Sequence, residues 1–134
     1  MEAEVIFGDR LIIVKCLDDR GWPIFDKLYE QMLSFENEVK NLMDWCEIPR
    51  EIILNFKLGD ESLYGQYFIQ EKEVSKELIV IDIYIRRWVK NKSKFKEGKV
   101  DVEVFDTFIH EIIHNKYAGE RKTRKTVKQF LSDL

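Results

Sequence analysis

The 134-residue sequence predicts one α+β domain, and three of its features lead to that prediction. Its length suits a single domain with a hydrophobic core of its own. Segments of alternating hydrophobic residues, typical of strands, are interspersed with segments in which hydrophobic residues recur every three or four positions, typical of helices. No repeat, Pro-rich linker or low-complexity tract divides the chain, so we expect the domain to span residues 1–134.

The first two predicted elements are a β-hairpin and a long helix. The hydrophobic arms of the hairpin, within residues 5–17, flank Gly8-Asp9, a pair typical of two-residue hairpin turns. Pro23 can begin a helix, where its missing N–H costs least, and hydrophobic residues then recur at helical spacing until Pro49 prevents continuation.

Three strands are predicted in the middle of the chain. They cover residues 52–58, 63–70 and 78–85, and the last of them, LIVIDIYI, is the most strand-like segment of the sequence. The connections between them are too short for parallel crossovers, so we expect a small, mostly antiparallel sheet. Gly65 indicates either a bulge or a place where another backbone comes close.

Two helices are predicted in the last third of the chain, after a basic loop over residues 86–99. Asp101 can cap the first of these helices, and Gly119 is expected to end it. The second carries hydrophobic residues on one side and Lys and Arg on the other. The predicted order is therefore a β-hairpin, a helix, three strands and two helices.

Cysteine usage and hydropathy predict a soluble cytoplasmic protein. Cys16 and Cys46 form neither a CxxC pair nor a disulfide framework, so we expect both to be reduced thiols in the core. No hydrophobic stretch approaches the roughly 20 residues that a membrane span needs, and the first residues lack the pattern of a signal peptide.

The sequence has two histidines, His110 and His114, and both lie in the segment FIHEIIHNKYAGE. Residues four apart in a helix project from the same side, so the two imidazoles can bind one Zn²⁺ at about 2.0–2.1 Å each. Glu111 lies about 100° around the helix from His110, where its carboxylate can take a proton from a water molecule that the metal activates. The hydrophobic stripe of the helix faces nearly the opposite way. This motif predicts a zinc site with Glu111 as general base.

A catalytic zinc needs a third protein ligand, and the sequence leaves its identity open. Downstream of His114, the acidic residues are Glu120 and Asp133. If Gly119 has positive φ, the chain can turn back and bring Glu120 to the metal. Glu120 can alternatively be only a favourable anion at the start of the last helix, in which case Asp133 is the other candidate.

The motif and the order of elements around it resemble the zincin metallopeptidases, and the small size most resembles the minimal single-domain zincins of archaea. In that family a sheet, a backing helix and an active-site helix bearing His-Glu-x-x-His form one half of the catalytic domain, and residues 22–134 have this order. Glu120 stands where several zincin branches have a third His or Asp, whereas Tyr117 stands where the metzincin branch has Gly. The resemblance implies a minimal zincin-like fold and a zinc-dependent endopeptidase.

The resemblance also implies roles for residues outside the motif. Zincin sheets present an edge strand to the bound peptide, and here this would be the strand that contains Gly65, Gln66 and Tyr67. The alternative is an ordinary internal strand with a bulge. Tyr117 would donate a hydrogen bond to a developing oxyanion, or would otherwise only pack against its neighbours.

Charge distribution suggests a second function. Residues 1–85 carry nine basic and eighteen acidic side chains, whereas residues 86–134 carry thirteen basic and seven acidic ones. Trp88 and Phe95 are interleaved with the basic residues, a mixture that can bind nucleic acid through phosphate contacts and stacking. A catalytically silent domain that binds nucleic acid or a partner protein is therefore the alternative to a peptidase, and a zinc hydrolase acting on another bond is a third reading. We expect a peptide or protein substrate, no membrane partner, and a monomer or homodimer.

Overall fold

The structure, a computed structural model, describes residues 2–59, 65–72, 75–91 and 94–134. In these residues groups of strands alternate with single helices or pairs of helices, which confirms the α+β class. The elements are β1 (Glu2–Phe7), β2 (Arg10–Cys16), α1 (Gly21–Ser34), α2 (Glu36–Trp45), β3 (Glu51–Lys57), β4 (Gly65–Lys72), β5 (Ser75–Tyr84), α3 (Arg86–Asn91), β6 (Lys94–Glu97), β7 (Val100–Glu103), α4 (Val104–His114) and α5 (Glu120–Ser132).

The described strands form a five-stranded sheet in the order β1-β2-β3-β5-β4 and a separate β6–β7 hairpin. The predicted N-terminal hairpin is confirmed, with Gly8 at φ +64° in its two-residue turn. The third predicted strand, residues 78–85, corresponds to β5, which begins earlier, at Ser75. Residues 63 and 64 of the predicted strand 63–70 lie outside the described residues.

The expectation of a mostly antiparallel sheet is wrong, because the sheet is mixed. β1–β2 and β4–β5 are antiparallel, whereas β2–β3 and β3–β5 are parallel. Helices α1 and α2 supply the crossover from β2 to β3. Strand β4 supplies the return from β3 to β5 by running antiparallel outside β5, so no long connection is needed.

The hydrophobic core lies between one face of the sheet and helices α1 and α4. On β3 every second residue is buried, including Ile52 and Leu54, and on β5 the core residues include Ile81 and Ile83. Helix α1 packs against β3 and α4, and α4 packs against β4 and β5. This arrangement fixes α4, which carries the two histidines, on the sheet.

The predicted long helix is divided into α1 and α2 at Phe35. There the backbone leaves the helical region, with φ −119° and ψ 39°. The Phe35 ring packs against Phe105 of α4, with ring centroids 6.0 Å apart. The sequence pattern runs through this position because both helices bury the same side of the chain.

The expectation of a basic loop over residues 86–99 is also wrong, since helix α3 and the β6–β7 hairpin occupy most of this segment. The reason is hydrophobic burial: Trp88 of α3 is fully buried, packs against Phe95 of β6, and donates a hydrogen bond from Nε1 to the Val102 carbonyl. Both aromatic rings are therefore in the core and are not exposed for stacking on bases.

Both cysteines are buried and unpaired, as predicted. Burial raises the pKa of Cys16 and of Cys46 to about 11, which keeps them as thiols at neutral pH. Across the part of the chain that the structure describes, no helix has the length and hydrophobicity needed to cross a membrane.

Candidate metal centre

Helix α4 begins at a well-defined cap. Glu103 is its N-cap, and a reciprocal capping box joins the Glu103 and Asp106 side chains to each other's backbone N–H groups. Gln31 of α1 donates a hydrogen bond to the Glu103 carboxylate at 2.7 Å. The prediction that Asp101 caps this helix is wrong, because Asp101 is in β7, where it is paired with Lys96 of β6.

The two histidines lie in the last turn and a half of α4. The opposite side of the helix is in the core, as predicted, with Phe108, Ile109 and Ile112 fully buried. His110 and His114 are mostly buried, and their Nε2 atoms are 3.1 Å apart. The local helical spacing is therefore sufficient to bring both imidazoles to one point.

Glu120 completes this cluster. Its Oε1 lies 2.7 Å from His114 Nε2, and its Oε2 lies 3.2 Å from His110 Nε2. Arg124, one turn further along α5, approaches the same carboxylate at 3.5 Å and remains exposed. Of the two candidates for a third ligand, Glu120 is the one that the fold brings to the histidines.

Asp133 lies elsewhere. It follows the C-terminal end of α5, about 20 Å along the helix from Glu120. Its carboxylate accepts hydrogen bonds from Gln129, and it borders a groove with Trp45 and Phe130. Nothing in the described residues connects Asp133 to His110 or His114.

The loop between α4 and α5 turns the chain toward the histidines, but not in the expected way. Helix α4 ends at His114, before Gly119, and Gly119 is the N-cap of α5 with φ −77° and ψ 132°. The expectation of a positive φ at Gly119 is therefore wrong. Asn115 instead anchors the start of the loop by donating to the Cys46 carbonyl at 2.7 Å.

Thr123 holds the end of this loop. Its buried hydroxyl lies 3.0 Å from the Tyr117 carbonyl oxygen and 2.9 Å from that of Gly119, so it can donate to either. With either acceptor, this hydrogen bond fixes the residues immediately before Glu120. No sequence signal singles out Thr123, since a Thr inside a helix is an ordinary residue and only its distance from the loop carbonyls reveals this contact.

The Tyr117 carbonyl also orients His114. It lies 3.0 Å from His114 Nδ1, and because a carbonyl oxygen only accepts hydrogen bonds, Nδ1 carries the hydrogen. In the neutral imidazole, Nε2 then presents its lone pair to His110 and Glu120. Hydrogen bonds of this kind position the histidine ligands of metals in many proteins.

The Tyr117 ring contacts α2 and α5. It packs edge-on against Trp45, with centroids 5.9 Å apart, and the Lys122 ammonium lies 4.3 Å from the ring centre. The structure thus gives Tyr117 packing contacts for its ring and a contact with His114 for its carbonyl.

Glu111 is buried beside the histidines. Its side chain is 4% exposed, and a carboxylate oxygen lies within 4.8 Å of ligand atoms on both His110 and His114. Burial, with a smaller contribution from the negative charge of Glu120, raises the pKa of Glu111 to about 8. Burial is also the main reason that the pKa of His110 is lowered.

Strand β4, with Gly65, Gln66 and Tyr67 at its start, is at one edge of the sheet among the described strands. It is antiparallel to β5 and contacts α4. The pairing is regular from Gly65 to Gln70, and the irregularity lies between Gln70 and Lys72. The backbone of β4 is therefore beside the helix that carries the histidines.

Comparison with models of known protein families, with curated proteins and with solved structures finds no significant match for this chain.

Proposed function

We propose that this protein is a zinc-dependent peptidase of the zincin type. The observation that carries the proposal is the convergence of His110, His114 and Glu120, which are contributed by α4 and by the start of α5. Two imidazole nitrogens and a carboxylate form the donor set found in several catalytic zinc sites.

The charges of the three groups favour a bound cation. With Nδ1 of His114 occupied by the Tyr117 carbonyl, its Nε2 lone pair faces a carboxylate oxygen at 2.7 Å. Two electron-rich atoms at this distance repel each other unless a proton or a metal ion lies between them. Three donors of a tetrahedral zinc stand about 3.3 Å apart, which is close to the observed 2.7, 3.1 and 3.2 Å.

The residues around this point suit hydrolysis. Bound zinc would polarise the scissile carbonyl and lower the pKa of a water molecule. Glu111 would accept the proton of the attacking water at its carboxylate and pass it to the leaving amine. Its burial keeps solvent from competing for that carboxylate, and it lies next to the proposed ligands without being needed as one of them.

We also propose that the backbone of β4 aligns the peptide. An edge strand has unpaired N–H and C=O groups that can bind an extended peptide by main-chain hydrogen bonds. The fold expected of a zincin, with a sheet, backing helix α1, active-site helix α4 and an edge strand beside it, is part of this proposal. The proposal also includes a cytoplasmic location, which the two unpaired thiols support.

The first test separates metal binding from hydrolysis by means of Glu111→Gln. We expect purified wild type to contain about one zinc per chain by mass spectrometry and to cleave a denatured protein substrate. Glu111→Gln should retain zinc and lose at least about a hundredfold in the cleavage rate, since general base catalysis contributes this much or more. Glu38→Gln, an equivalent change at an exposed position of α2, is the control and should behave as wild type.

Two results would contradict the proposal. Carefully purified protein that neither contains nor takes up zinc would remove the metal site. Undiminished cleavage by Glu111→Gln would remove the mechanism.

A further inference from the structure

The side of helix α5 that faces solvent is covered by basic side chains. Five basic residues fall between positions 121 and 128, and all of them are exposed: Arg121, Lys122, Arg124, Lys125 and Lys128. We refer to these five residues as the basic face of α5. Three of them, together with Thr126 and Gln129, line a depression of about 600 Å³. The basic face is therefore open to a partner.

Acidic side chains do little to neutralise this face. Within α5 the acidic residue is Glu120, and Arg124 approaches its carboxylate at 3.5 Å. The other four basic residues form no ion pair with any carboxylate in the part of the chain that the structure describes. The face thus keeps a positive charge, although the chain as a whole has a net charge of −3.

This placement of charge is unfavourable for the helix itself. Arg121 lies four residues before Lys125, and Arg124 lies four residues before Lys128, a spacing at which like charges on a helix repel each other. Cations are favoured in the last turn of a helix and disfavoured in the first. The last turn of α5 has no basic residue, whereas Arg121 and Lys122 are in its first turn. A bound anion would remove both penalties.

We propose that the basic face of α5 binds the phosphate backbone of duplex nucleic acid without reading its sequence. From Arg121 to Lys128 the face extends about 10 Å along the helix. A duplex carries one negative charge per about 1.7 Å of its axis, so several phosphates can meet the face at once. This role is additional to the proposed peptidase function and does not depend on bound zinc.

The neighbouring side chains favour a duplex over other polyanions. Single strands are typically held by stacking on exposed aromatic rings, and Trp88 and Phe95 are buried in the core. Helices that bind anionic membranes insert hydrophobic side chains, but Val127, Phe130 and Leu131 of α5 pack against the protein core. Phosphate contacts with a duplex need neither feature.

The test measures binding of fluorescein-labelled duplex DNA of about 20 base pairs by fluorescence anisotropy, over a range of salt concentrations. We expect wild type to bind two duplexes of unrelated sequence with equal affinity, because phosphate contacts carry no sequence information. The logarithm of the affinity should fall with the logarithm of the salt concentration, with a slope of about −3 for three or four phosphate contacts.

Two triple variants connect this binding to α5. The first, the α5 variant, combines Arg121→Gln, Lys125→Gln and Lys128→Gln at exposed positions. The matched control removes the same charge from α1, from α2 and from the position before β3, by combining Lys27→Gln, Lys40→Gln and Arg50→Gln.

We expect the α5 variant to bind the duplex at least about tenfold more weakly than wild type at about 50 mM salt, with a slope near zero. The control variant should stay within about twofold of wild type. Without DNA, the Tm of the α5 variant should be no lower than that of the control variant, because like charges have been removed from one helix. A much lower Tm would contradict the argument that these charges oppose one another.

Three further outcomes would overturn the proposal. The first is failure of wild type to bind either duplex, and the second is equal weakening in both triple variants, which would mean that net charge alone controls binding. The third is displacement of the duplex by poly-glutamate or by phosphatidylserine vesicles at equal charge concentration, which would assign the face to acidic proteins or to membranes. Both variants retain His110, His114 and Glu120, so none of these outcomes depends on whether the protein is a peptidase.

Discussion

The side chain of Glu120 combines exposure with a contact to two histidines. It begins α5, is about half exposed, and places one carboxylate oxygen near each Nε2 atom. In a zinc site made of two histidines and a carboxylate, the carboxylate supplies the charge that two neutral imidazoles lack. Replacing the Glu120 side chain therefore tests the identity of the proposed third ligand.

We expect Glu120→Ala to lose most of the zinc that wild type retains through dialysis, because two histidines alone leave the metal with too few protein ligands. Asp133→Ala should retain zinc at the wild-type level, since Asp133 is about 20 Å along α5 from Glu120. Metal content by mass spectrometry measures both. Loss of zinc in Asp133→Ala, with retention in Glu120→Ala, would reverse the assignment.

If zinc binds as proposed, Thr123 would position the site through the loop. We expect Thr123→Val to weaken zinc binding about tenfold, the lower end of the effect of removing hydrogen bonds that support metal ligands. Thr123→Ser keeps the hydroxyl and should restore the affinity, which a loss of packing alone would not allow.

Thr126→Val is the control for Thr123→Val. The Thr126 hydroxyl also donates to a backbone carbonyl of α5, that of Lys122, at 2.8 Å, but it is away from the loop. Competition with a fluorescent zinc chelator gives the three affinities. Equal weakening in Thr123→Val and Thr126→Val would mean that helix stability, and not the loop, controls the site.

Among the elements, the loop of residues 115–119 has the most direct effect on the site. It reverses the chain between α4 and α5 within five residues, and hydrogen bonds from Asn115 and Thr123 hold its two ends. Gly119 is in an extended conformation, and a Cβ placed on it would meet nothing within 4 Å. The loop therefore needs no glycine at this position for steric reasons.

We expect Gly119→Ala to keep zinc and to cost less than about 1 kcal/mol of stability, the difference between glycine and alanine at an N-cap. Urea denaturation and metal content measure the two quantities. A positive φ at this position would instead make alanine strained and would lower both zinc content and stability.

The sequence pattern predicted a loop where helix α3 and the β6–β7 hairpin lie. The position of the hairpin depends on Phe95 and Val102, which pack into the core beside Trp88. Burial of these rings also weakens the proposal of nucleic-acid binding by stacking. The exposed basic face of α5 remains as a surface for nucleic-acid binding. Such binding would rest on phosphate contacts and would be lost with increasing salt.

For the whole molecule, metal binding and folding should be coupled. The three donors come from two helices joined by a loop, and without a cation they oppose one another. A ligand that binds only the folded state stabilises it by about 2.7 kcal/mol at a free concentration one hundred times its Kd.

We therefore expect removal of zinc by a chelator to lower the Tm of wild type by roughly 5–15 °C, given the usual relation between stability and Tm for a domain of this size. Glu120→Ala should have the same Tm with and without the chelator. Differential scanning calorimetry measures both, and an unchanged wild-type Tm would argue against a zinc site within the folded domain.

Much of the fold could be predicted from local patterns. Alternation and helical spacing identified the N-terminal hairpin, β3, β5 and the hydrophobic stripe of α4, because each of these elements buries one side of itself in the core. Local patterns could not give the partners of the strands. Parallel pairing of β3 with β5 depends on β4 crossing to the outside of β5, which is a property of the whole sheet.

The candidate site, like the fold, could be predicted from the sequence only in part. The sequence by itself determined that His110 and His114 share a helix face with Glu111 beside them, since helical geometry fixes side chains four residues apart. Only the tertiary structure decided between Glu120 and Asp133, and only it revealed the contacts of Thr123. These depend on how a five-residue loop directs α5 across α4, and that direction is set by hydrogen bonds to residues of other elements, which no spacing in the sequence encodes.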